Sequence, residues 1–313
     1  MPDFDPSLAR IRTAQIRTVM QVMGIAGHAL NPLFSAFGDE LAEQTTLGAG
    51  AGFGSLAVSL TASGEAAATR LSQLYTDSYG THGKVARLAV KLAEHFEHQA
   101  FRLTVEESVE PGRPRLQVGW QGDWTGEQLM ALLSKVRVDE AVLAQAAGLF
   151  DALGVENVTG FGFRIDPGGP PEFLVTSAHA FGPDELPDFQ GRLDAAMGLL
   201  GVSDKQREYV RDTAGSFAPR PVNRVHLSSV IAHERLVPEL LVAYPIVPVP
   251  LVLRVLSQFA PQEGSGLRLG SMTAAMGIEE EIVSEFTVTA RDSEPPGLSF
   301  ELTSQGMPGV ADA

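Results

Sequence analysis

Residues 158–179, VTGFGFRIDPGGPPEFLVTSAH, contain the clearest strand pair in the sequence and decide the fold. Proline and glycine are concentrated at 166–170, which predicts a turn. On both sides of it, apolar residues alternate with small or polar ones, as they do in a strand that buries one face. The stretch therefore predicts an antiparallel hairpin of strands 158–165 and 172–179.

Similar strand pairs recur about every sixty residues, a period typical of a repeat architecture. Turns are expected at 62–64, 110–114 and 294–296 in three of the other pairs. The five predicted pairs are 52–61 with 69–76, 101–106 with 115–121, 158–165 with 172–179, 222–232 with 238–247, and 282–290 with 297–303.

Segments with helical spacing lie between these pairs. Thr125 and Gln128 form a capping-box pattern that begins one helix, while Gly154 and Gly201 are expected to end two others. Besides the helix that begins at Thr125, helices are predicted at 6–23, 84–96, 138–153, 184–200 and 203–217. Residues 236–253 predict a strand, a turn and a helix.

Tight turns require antiparallel neighbours, and an open sheet of ten strands would leave two exposed edges. Closure into a barrel removes both edges, with helices covering the outside. The sequence therefore predicts an α+β fold, a ten-stranded antiparallel β-barrel, as a single domain over 1–313.

Composition excludes several classes of protein. The chain has 313 residues and a formal net charge of −15, which argues against a nucleic-acid partner. It has no cysteine, so disulfides, thiolate nucleophiles and cysteine-ligated metals are excluded. The N-terminus lacks the apolar run of a secretory signal, and the most apolar stretch, 236–253, carries Glu239 and four prolines. A cytoplasmic location without membrane association is expected.

The strand alternation predicts what the barrel encloses. In 101–106 and 115–121 the apolar side chains share one face, which should lie under the helices. The opposite face is small and polar. Because about eight strands suffice for side chains to fill a barrel, ten strands with such residues inside should leave a chamber for a ligand.

Residues 22–41 and 55–64, VMGIAGHALNPLFSAFGDEL and SLAVSLTASG, resemble the opening helix and first strand of a known family. Residues 144–163, with 221–229 and 238–245, resemble its passage into the third hairpin and its fourth hairpin. That family is the ABBA, or PT-barrel, aromatic prenyltransferases of bacterial secondary metabolism. The resemblance implies five αββα units closed into a ten-stranded PT-barrel.

The resemblance also implies a reaction, in which an isoprenyl group passes from its diphosphate to an aromatic small molecule without a metal or cofactor. A monomer is expected. In such a site Glu301 and His226 would be the catalytic residues: Glu301 would help to deprotonate the acceptor, and His226 would contact it. Arg70, Arg102, Arg115 and Arg164 would bind the diphosphate, and Gln117, Gly162, Thr176 and Ser228 would contact the acceptor.

Three positions depart from the family pattern. Glu239 stands where an arginine is usual in the fourth hairpin, and Ser299 stands where a lysine is usual in the last. Ser72 replaces the aspartate that binds magnesium in one branch, so no metal site is predicted.

A second interpretation of the barrel therefore stays open. Inward arginines could pair with carboxylates such as Glu106, Glu172 or Glu285. His226 would then be a hydrogen-bonded lumen residue. Such a barrel would not transfer a prenyl group, but would bind an uncharged natural product or catalyse another reaction, such as cyclisation. Unpaired arginines that converge on one place favour prenyl transfer, whereas arginines matched by carboxylates favour the alternative.

Three other patterns have ordinary structural interpretations. The glycine-rich run 48–54 suggests a dinucleotide-binding loop, but an alternating strand follows it, so strand-entry glycines are preferred. His95 and His98 have a spacing that could bind a metal, although a solvated helix face is preferred. Trp120 and Trp124 are expected to pack under helices.

Overall fold

The computed structural model describes residues 6–38, 40–42, 45–50, 52–79, 83–110, 112, 114–166, 169–217, 223–259, 265–276, 278, 282–291 and 297–303. The turn predicted at 294–296 lies outside these residues, as do parts of the turns predicted at 110–114 and 166–170.

Ten strands follow one another as five hairpins. They are β1 (Thr45–Gly50), β2 (Ser55–Ala62), β3 (Phe101–Ser108), β4 (Arg115–Thr125), β5 (Asn157–Ile165), β6 (Pro171–Phe181), β7 (Asn223–Ile231), β8 (Leu236–Pro248), β9 (Ile282–Arg291) and β10 (Gly297–Thr303). Each strand pairs antiparallel with the next, and β1 pairs with β10. The predicted closed, ten-stranded antiparallel barrel is confirmed.

Helices come in pairs before each hairpin. They are α1 (Pro6–Met23), α2 (Leu30–Phe37), α3 (Glu65–Gln73), α4 (Gly83–His95), α5 (Gly126–Lys135), α6 (Glu140–Leu153), α7 (Leu186–Leu199), α8 (Asp204–Phe217), α9 (Val249–Phe259) and α10 (Ser265–Ala275). The first helix contacts the last, so the outer layer closes as the barrel does. No described helix has the length and hydropathy needed to cross a lipid bilayer.

Local signals set the ends of several helices as predicted. The Thr125 hydroxyl accepts a hydrogen bond from the Gln128 backbone N–H, and the Gln128 side chain accepts one from the Thr125 N–H, which completes the capping box of α5. Gly154 ends α6 with φ +66°, in the left-handed region that favours glycine.

The first predicted hairpin is partly wrong. Residues 69–76 are not a strand: they belong to α3 and to the π-helical turn Leu74–Ser78 that continues it. Ala67, Leu71 and Leu74 recur with helical spacing and are buried. The actual partner of β2 is β1, whose sequence TTLGAG is too rich in small residues to show apolar alternation.

The main hydrophobic core lies between the barrel and the helices. Its strand residues are the predicted apolar face: Phe101, Leu103 and Val118 are at most 2% exposed. Trp120 stacks on Phe96 with ring centroids 4.9 Å apart. The complementary face of each strand must therefore face the barrel interior.

One carboxylate interrupts this core. Glu107, at the end of β3, lies on the outward face and is 7% exposed. Its Oε1 accepts hydrogen bonds from the backbone N–H groups of Gly27 and His28, both at 2.8 Å. Its Oε2 accepts from Ala29 and Leu30 at 2.9 and 3.1 Å. Glu107 thus supplies acceptors for the unpaired N–H groups that begin α2 and fixes that helix to the barrel.

The glycine-rich run 48–54 begins in the barrel wall. Gly48 and Gly50 lie in β1, and a strand follows, so the dinucleotide interpretation is wrong. A side chain on Gly48 would approach Ala57 Cβ to 3.3 Å. Close packing between neighbouring strands therefore accounts for this glycine.

Candidate active site in the barrel lumen

Polar side chains from opposite walls meet inside the barrel. Arg102 on β3 reaches Glu301 on β10, although β2 and β1 lie between them in the wall, so the contact crosses the lumen. The Arg102 side chain remains 39% exposed and that of His226 41% exposed. These lumen side chains are therefore accessible to solvent.

The first group of lumen charges is called here the dyad cluster: Arg102, Glu285, Glu301 and His226. Arg102 Nη2 donates to both Glu301 carboxylate oxygens, at 2.7 and 2.6 Å, and to Ser59 Oγ at 3.2 Å. Glu285 lies directly opposite Glu301 in the β9–β10 register. His226 Nδ1 is 3.6 Å from Glu285 Oε2. Two residues far apart in sequence, Arg102 and His226, thus flank one pair of carboxylates.

The two carboxylates of the dyad cluster differ in proton affinity. Burial and the neighbouring Glu285 charge raise the pKa of Glu301 above its ordinary value, and Arg102 only partly opposes them. Burial also acts to raise the pKa of Glu285, but the contact with His226 and the charge of Arg102 outweigh it, so this pKa is lowered. Paired carboxylates whose pKa values are pushed apart are suited to act as an acid and a base.

We expect this difference to be visible in a titration. With ¹³C-labelled glutamate carboxyls assigned through Glu285→Gln and Glu301→Gln, the Glu301 signal should titrate at higher pH than the Glu285 signal. Arg102→Gln should raise both pKa values, because the guanidinium lowers both. Identical titration midpoints, or the reverse order, would contradict the assignment of acid and base.

The second group, called here the turn-end cluster, lies where strands enter the hairpin turns. Arg164 donates to both Glu239 oxygens, at 2.6 and 2.9 Å, and to Glu172 at 2.9 Å. The Arg164 and Glu239 side chains are each 7% exposed. The complete cluster comprises Arg115, Arg164, Arg291, Glu106, Asp166, Glu172 and Glu239.

Arg115 has two acidic partners in the turn-end cluster. Its Nε donates to Asp166, and its Nη1 is 3.3 Å from Glu106 Oε2. Apolar side chains also fill this end of the lumen. Val230, Val237 and the partly buried Leu241 pack in a small cluster separate from the core under the helices. The turn end is therefore a packed, ion-paired floor.

Arg70 is not a lumen residue. It lies on α3, outside the barrel, so its predicted place in a strand of the first hairpin is wrong. Its guanidinium pairs with Glu40, donates to the Ala36 carbonyl and lies 4.8 Å from the Phe37 ring centroid. These contacts tie α3 to α2, and none of them joins Arg70 to the other three arginines.

The four residues predicted to contact the acceptor lie on the inner faces of β4 to β7. Thr176 and Ser228 are register partners whose hydroxyls are 2.7 Å apart. Gln117 is half-buried and lies two residues before Gly119 on β4, where its register partner is Arg164. A side chain on Gly162 would lie 2.4 Å from the Val118 carbonyl oxygen, so close approach of β4 and β5 requires glycine there. Their contact with an acceptor stays a prediction.

The proposed pairing of inward arginines with carboxylates is confirmed for Glu106 and Glu172. Sequence reasoning treated Glu285 only as a pairing partner and missed its position beside Glu301. Counting outward from the turn predicted at 294–296 would have placed Glu301 opposite Thr289 and not opposite Glu285, so the local signal does not give this register. No local pattern in the sequence indicated the pairing of Arg164 with Glu239, because β6 and β7 lie between β5 and β8 in the barrel wall.

His95, the last residue of α4, and His98, in the turn that follows, do not form a metal site with other described residues. Among the residues that the structure describes, no group of three or more His, Asp or Glu side chains could hold a metal ion. Trp120 packs under a helix as predicted, where it stacks on Phe96. Trp124 is half-buried against Phe96 as well, with 5.4 Å between the ring centroids.

Solved structures share this fold across nearly the whole chain. The 6-dimethylallyltryptophan synthase from Micromonospora olivasterospora, in complex with DMASPP and Trp, has a TM-score of 0.67 and 15% identity, covering 95% of this chain and 97% of that one. The 5-dimethylallyltryptophan synthase from Streptomyces coelicolor has a TM-score of 0.59 and 14% identity, with the same coverages. The fold is therefore the PT-barrel of these prenyltransferases.

A further similar structure is the prenyltransferase PriB in a ternary complex with L-tryptophan and dimethylallyl thiolodiphosphate, with a TM-score of 0.58 and 12% identity, covering 95% of this chain and 96% of that one. No family model matches the sequence. No curated protein matches it either. The resemblance found in the sequence is thus supported at the level of fold.

Proposed function

Starting from the PT-barrel fold, we propose that the lumen binds a small uncharged or cationic natural product, with an aromatic ring as the preferred feature, and moves protons on it. Glu301, as the acid, would donate a proton to an unsaturated bond of the substrate. After an internal nucleophile closes a ring, the Glu285 carboxylate would accept the proton that is lost. Return of that proton from Glu285 to Glu301, its register partner, would restore the acid and the base, so the sum is a cyclisation or isomerisation that needs no co-reactant.

The observation that carries this proposal is the pairing of the arginines. Each lumen arginine that was predicted to bind diphosphate contacts at least one carboxylate. These arginines also fall in two clusters instead of one. A diphosphate site requires cations whose charge is available to the ligand and converges on it.

The charge inventory of the lumen supports the same proposal. Together the two clusters hold four guanidinium groups, on Arg102, Arg115, Arg164 and Arg291. They hold six carboxylates, on Glu106, Asp166, Glu172, Glu239, Glu285 and Glu301. With Glu301 protonated as the acid, five of the six carboxylates are negative and still outnumber the four positive groups, so the clusters repel a diphosphate and attract a cation.

A diphosphate would not readily displace the carboxylates from the lumen arginines. If a diphosphate displaced Glu239 from Arg164, a carboxylate that is 7% exposed would lose its main partner. Removing one partner of such a buried pair costs about 3–5 kcal/mol. The incoming anion would have to offset that cost in addition to its own desolvation.

Prenyl transfer without a metal is the second candidate function. The observation that favours it is the similarity to solved aromatic prenyltransferases over 95% of the chain. Glu301, in the last strand, would then remove the proton from the aromatic acceptor, with Arg102 close to it. This candidate requires that at least one arginine leave its carboxylate when the donor binds.

The test is thermal unfolding with ligands that share one ring and differ in charge: indole, tryptamine and indole-3-acetate. We expect tryptamine to stabilise the protein most and indole-3-acetate least, with affinities about tenfold apart, because the lumen carboxylates outnumber the guanidinium groups. A ligand at a hundred times its dissociation constant should stabilise the fold by about 2.7 kcal/mol.

The same assay with dimethylallyl, geranyl and farnesyl diphosphate, with and without Mg²⁺, separates the two candidates. Pyrophosphate alone is the control. Saturable stabilisation by one prenyl diphosphate beyond that of pyrophosphate would overturn the first candidate and support prenyl transfer. Glu285→Gln, which removes the charged member of the pair, should reduce the preference for tryptamine, whereas Glu208→Gln, at an exposed position on α8, should leave it unchanged.

A further inference from the structure

A second cavity of about 620 Å³ lies outside the barrel, in the cleft between α4 and α5. Its walls are largely apolar. The aliphatic side chains that line it come from both helices and are Val85, Leu88, Leu92, Leu132 and Val136. Because the cavity is on the helical side of the sheet, it is separate from the lumen and from both charge clusters.

The rim of this cleft is positively charged. Arg87 and Lys91 line it from α4, while Lys135 and Arg137 line it from the end of α5 and the residues that follow. None of its lining residues is Asp or Glu, and none of these four cations forms an ion pair with a carboxylate in the part of the chain that the structure describes. This is unexpected on a protein whose net charge is −15.

Helix geometry accounts for only some of these cations: Lys135 lies in the last turn of α5, where the helix dipole favours a basic side chain, whereas Arg87 and Lys91 lie in earlier turns of α4. Arg87, Lys91 and His95 follow one another at intervals of four residues, so they form one stripe along α4. Like charges at i and i+4 destabilise a helix by a few tenths of a kcal/mol per pair. The cleft lining offers Arg87 and Lys91 no carboxylate partner.

The cleft continues into a smaller cavity of about 260 Å³ that shares His95, Leu132 and Lys135 with the first. Aromatic rings line this deeper part, from Phe96, Trp124 and Phe161. The cleft therefore joins a cationic rim to an apolar and aromatic trough.

We propose that this cleft binds a small amphiphilic anion, a molecule with an apolar chain or ring and one carboxylate, phosphate or sulfate head. The head would lie among the four rim cations, and the apolar part would lie along the trough towards Trp124. A concave volume of this size falls within the 300–1,000 Å³ typical of small-molecule sites. The charge of the rim, opposite to that of the protein, selects an anion.

Trp124 makes the test specific to this cleft. The chain has only two tryptophans, and both lie on the helical side of the sheet, where Trp124 lines the cleft and Trp120 stacks on Phe96. Tryptophan fluorescence is titrated with 11-bromoundecanoate, whose bromine quenches on contact, and with its uncharged methyl ester. We expect saturable quenching by the acid and at least tenfold weaker binding of the ester.

Charge reversal at the rim of the cleft is the second part of the binding test. Lys91→Glu and Lys135→Glu should each weaken binding of the acid at least fivefold. Lys205→Glu, at an exposed position on α8, is the matched control and should bind like the unmodified protein. Circular dichroism of each variant checks that the fold is retained.

Three results would overturn the proposal: no saturable quenching, equal binding of acid and ester, or equal weakening by Lys205→Glu and Lys91→Glu. An acidic amphipathic peptide is the competing occupant of a cleft between two helices. If such a peptide binds and is weakened by the rim variants while 11-bromoundecanoate does not bind, the cleft is a peptide site instead. Failure of this test leaves the lumen proposal unaffected, because the two sites share no residue.

Discussion

Replacing Glu107 with glutamine is expected to destabilise the protein by about 3–5 kcal/mol, a large part of the stability of a typical domain. The carboxylate accepts four backbone N–H groups at the start of α2, with two on each oxygen. Glutamine keeps one oxygen and turns an N–H₂ group towards two of these donors. Urea denaturation followed by circular dichroism measures the change.

Glu106→Gln is the matched control for Glu107→Gln. Glu106 is the preceding residue on β3, but it faces the lumen and is 27% exposed; it accepts one hydrogen bond from Ser55 Oγ at 2.5 Å and forms a weak ion pair with Arg115 at 3.3 Å. Its replacement should cost about 1 kcal/mol or less. Similar losses in the two variants would show that burial and the four N–H contacts do not set the importance of Glu107.

The second large effect is expected at the floor of the lumen. Glu239→Gln should destabilise the protein by about 3 kcal/mol or more, because Arg164 would lose its bidentate partner while 7% exposed. The pKa of Glu239 is lowered, since burial acts to raise it but Arg164 outweighs burial. This contribution is therefore present above the pKa of an unfolded glutamate and is lost as the pH falls below it.

A double-mutant cycle measures the pair itself. Arg164→Met combined with Glu239→Leu should restore most of the stability, because apolar residues of similar size can replace a buried ion pair at little cost. Unfolding free energies of the two single variants and the double variant give the coupling. Additive losses would mean that the two side chains do not stabilise each other, and the proposed floor of paired charges would be incorrect.

The hairpins could be predicted from the sequence because the signals that specify them are local. In 158–179 the turn residues and the alternation of Phe161, Phe163 and Phe173 lie within about twenty residues, and each follows from backbone geometry alone. The same alternation separated the core face from the lumen face correctly. Closure into a barrel followed from the number of strands and the cost of exposed edges.

The first hairpin failed for an equally local reason. The strand β1 contains Gly48 and Gly50, so only Leu47 and Ala49 supply apolar character. Residues 69–76 offered a better apolar pattern and were assigned in its place, which also put Arg70 on the wrong element. Strand β1 is stabilised by pairing with β2 and β10, and the second of these contacts spans the chain.

By itself, then, the sequence determined the order of elements, the inner face of the barrel and the absence of cysteine chemistry, because composition, turn residues and strand period are properties of short stretches. Only the tertiary structure decided which charges meet. Arg102 pairs with Glu301, which is 199 positions away in the chain, and Arg164 pairs with Glu239, which is 75 positions away. Such contacts depend on how far each strand is staggered when the barrel closes, and no local pattern specifies that stagger.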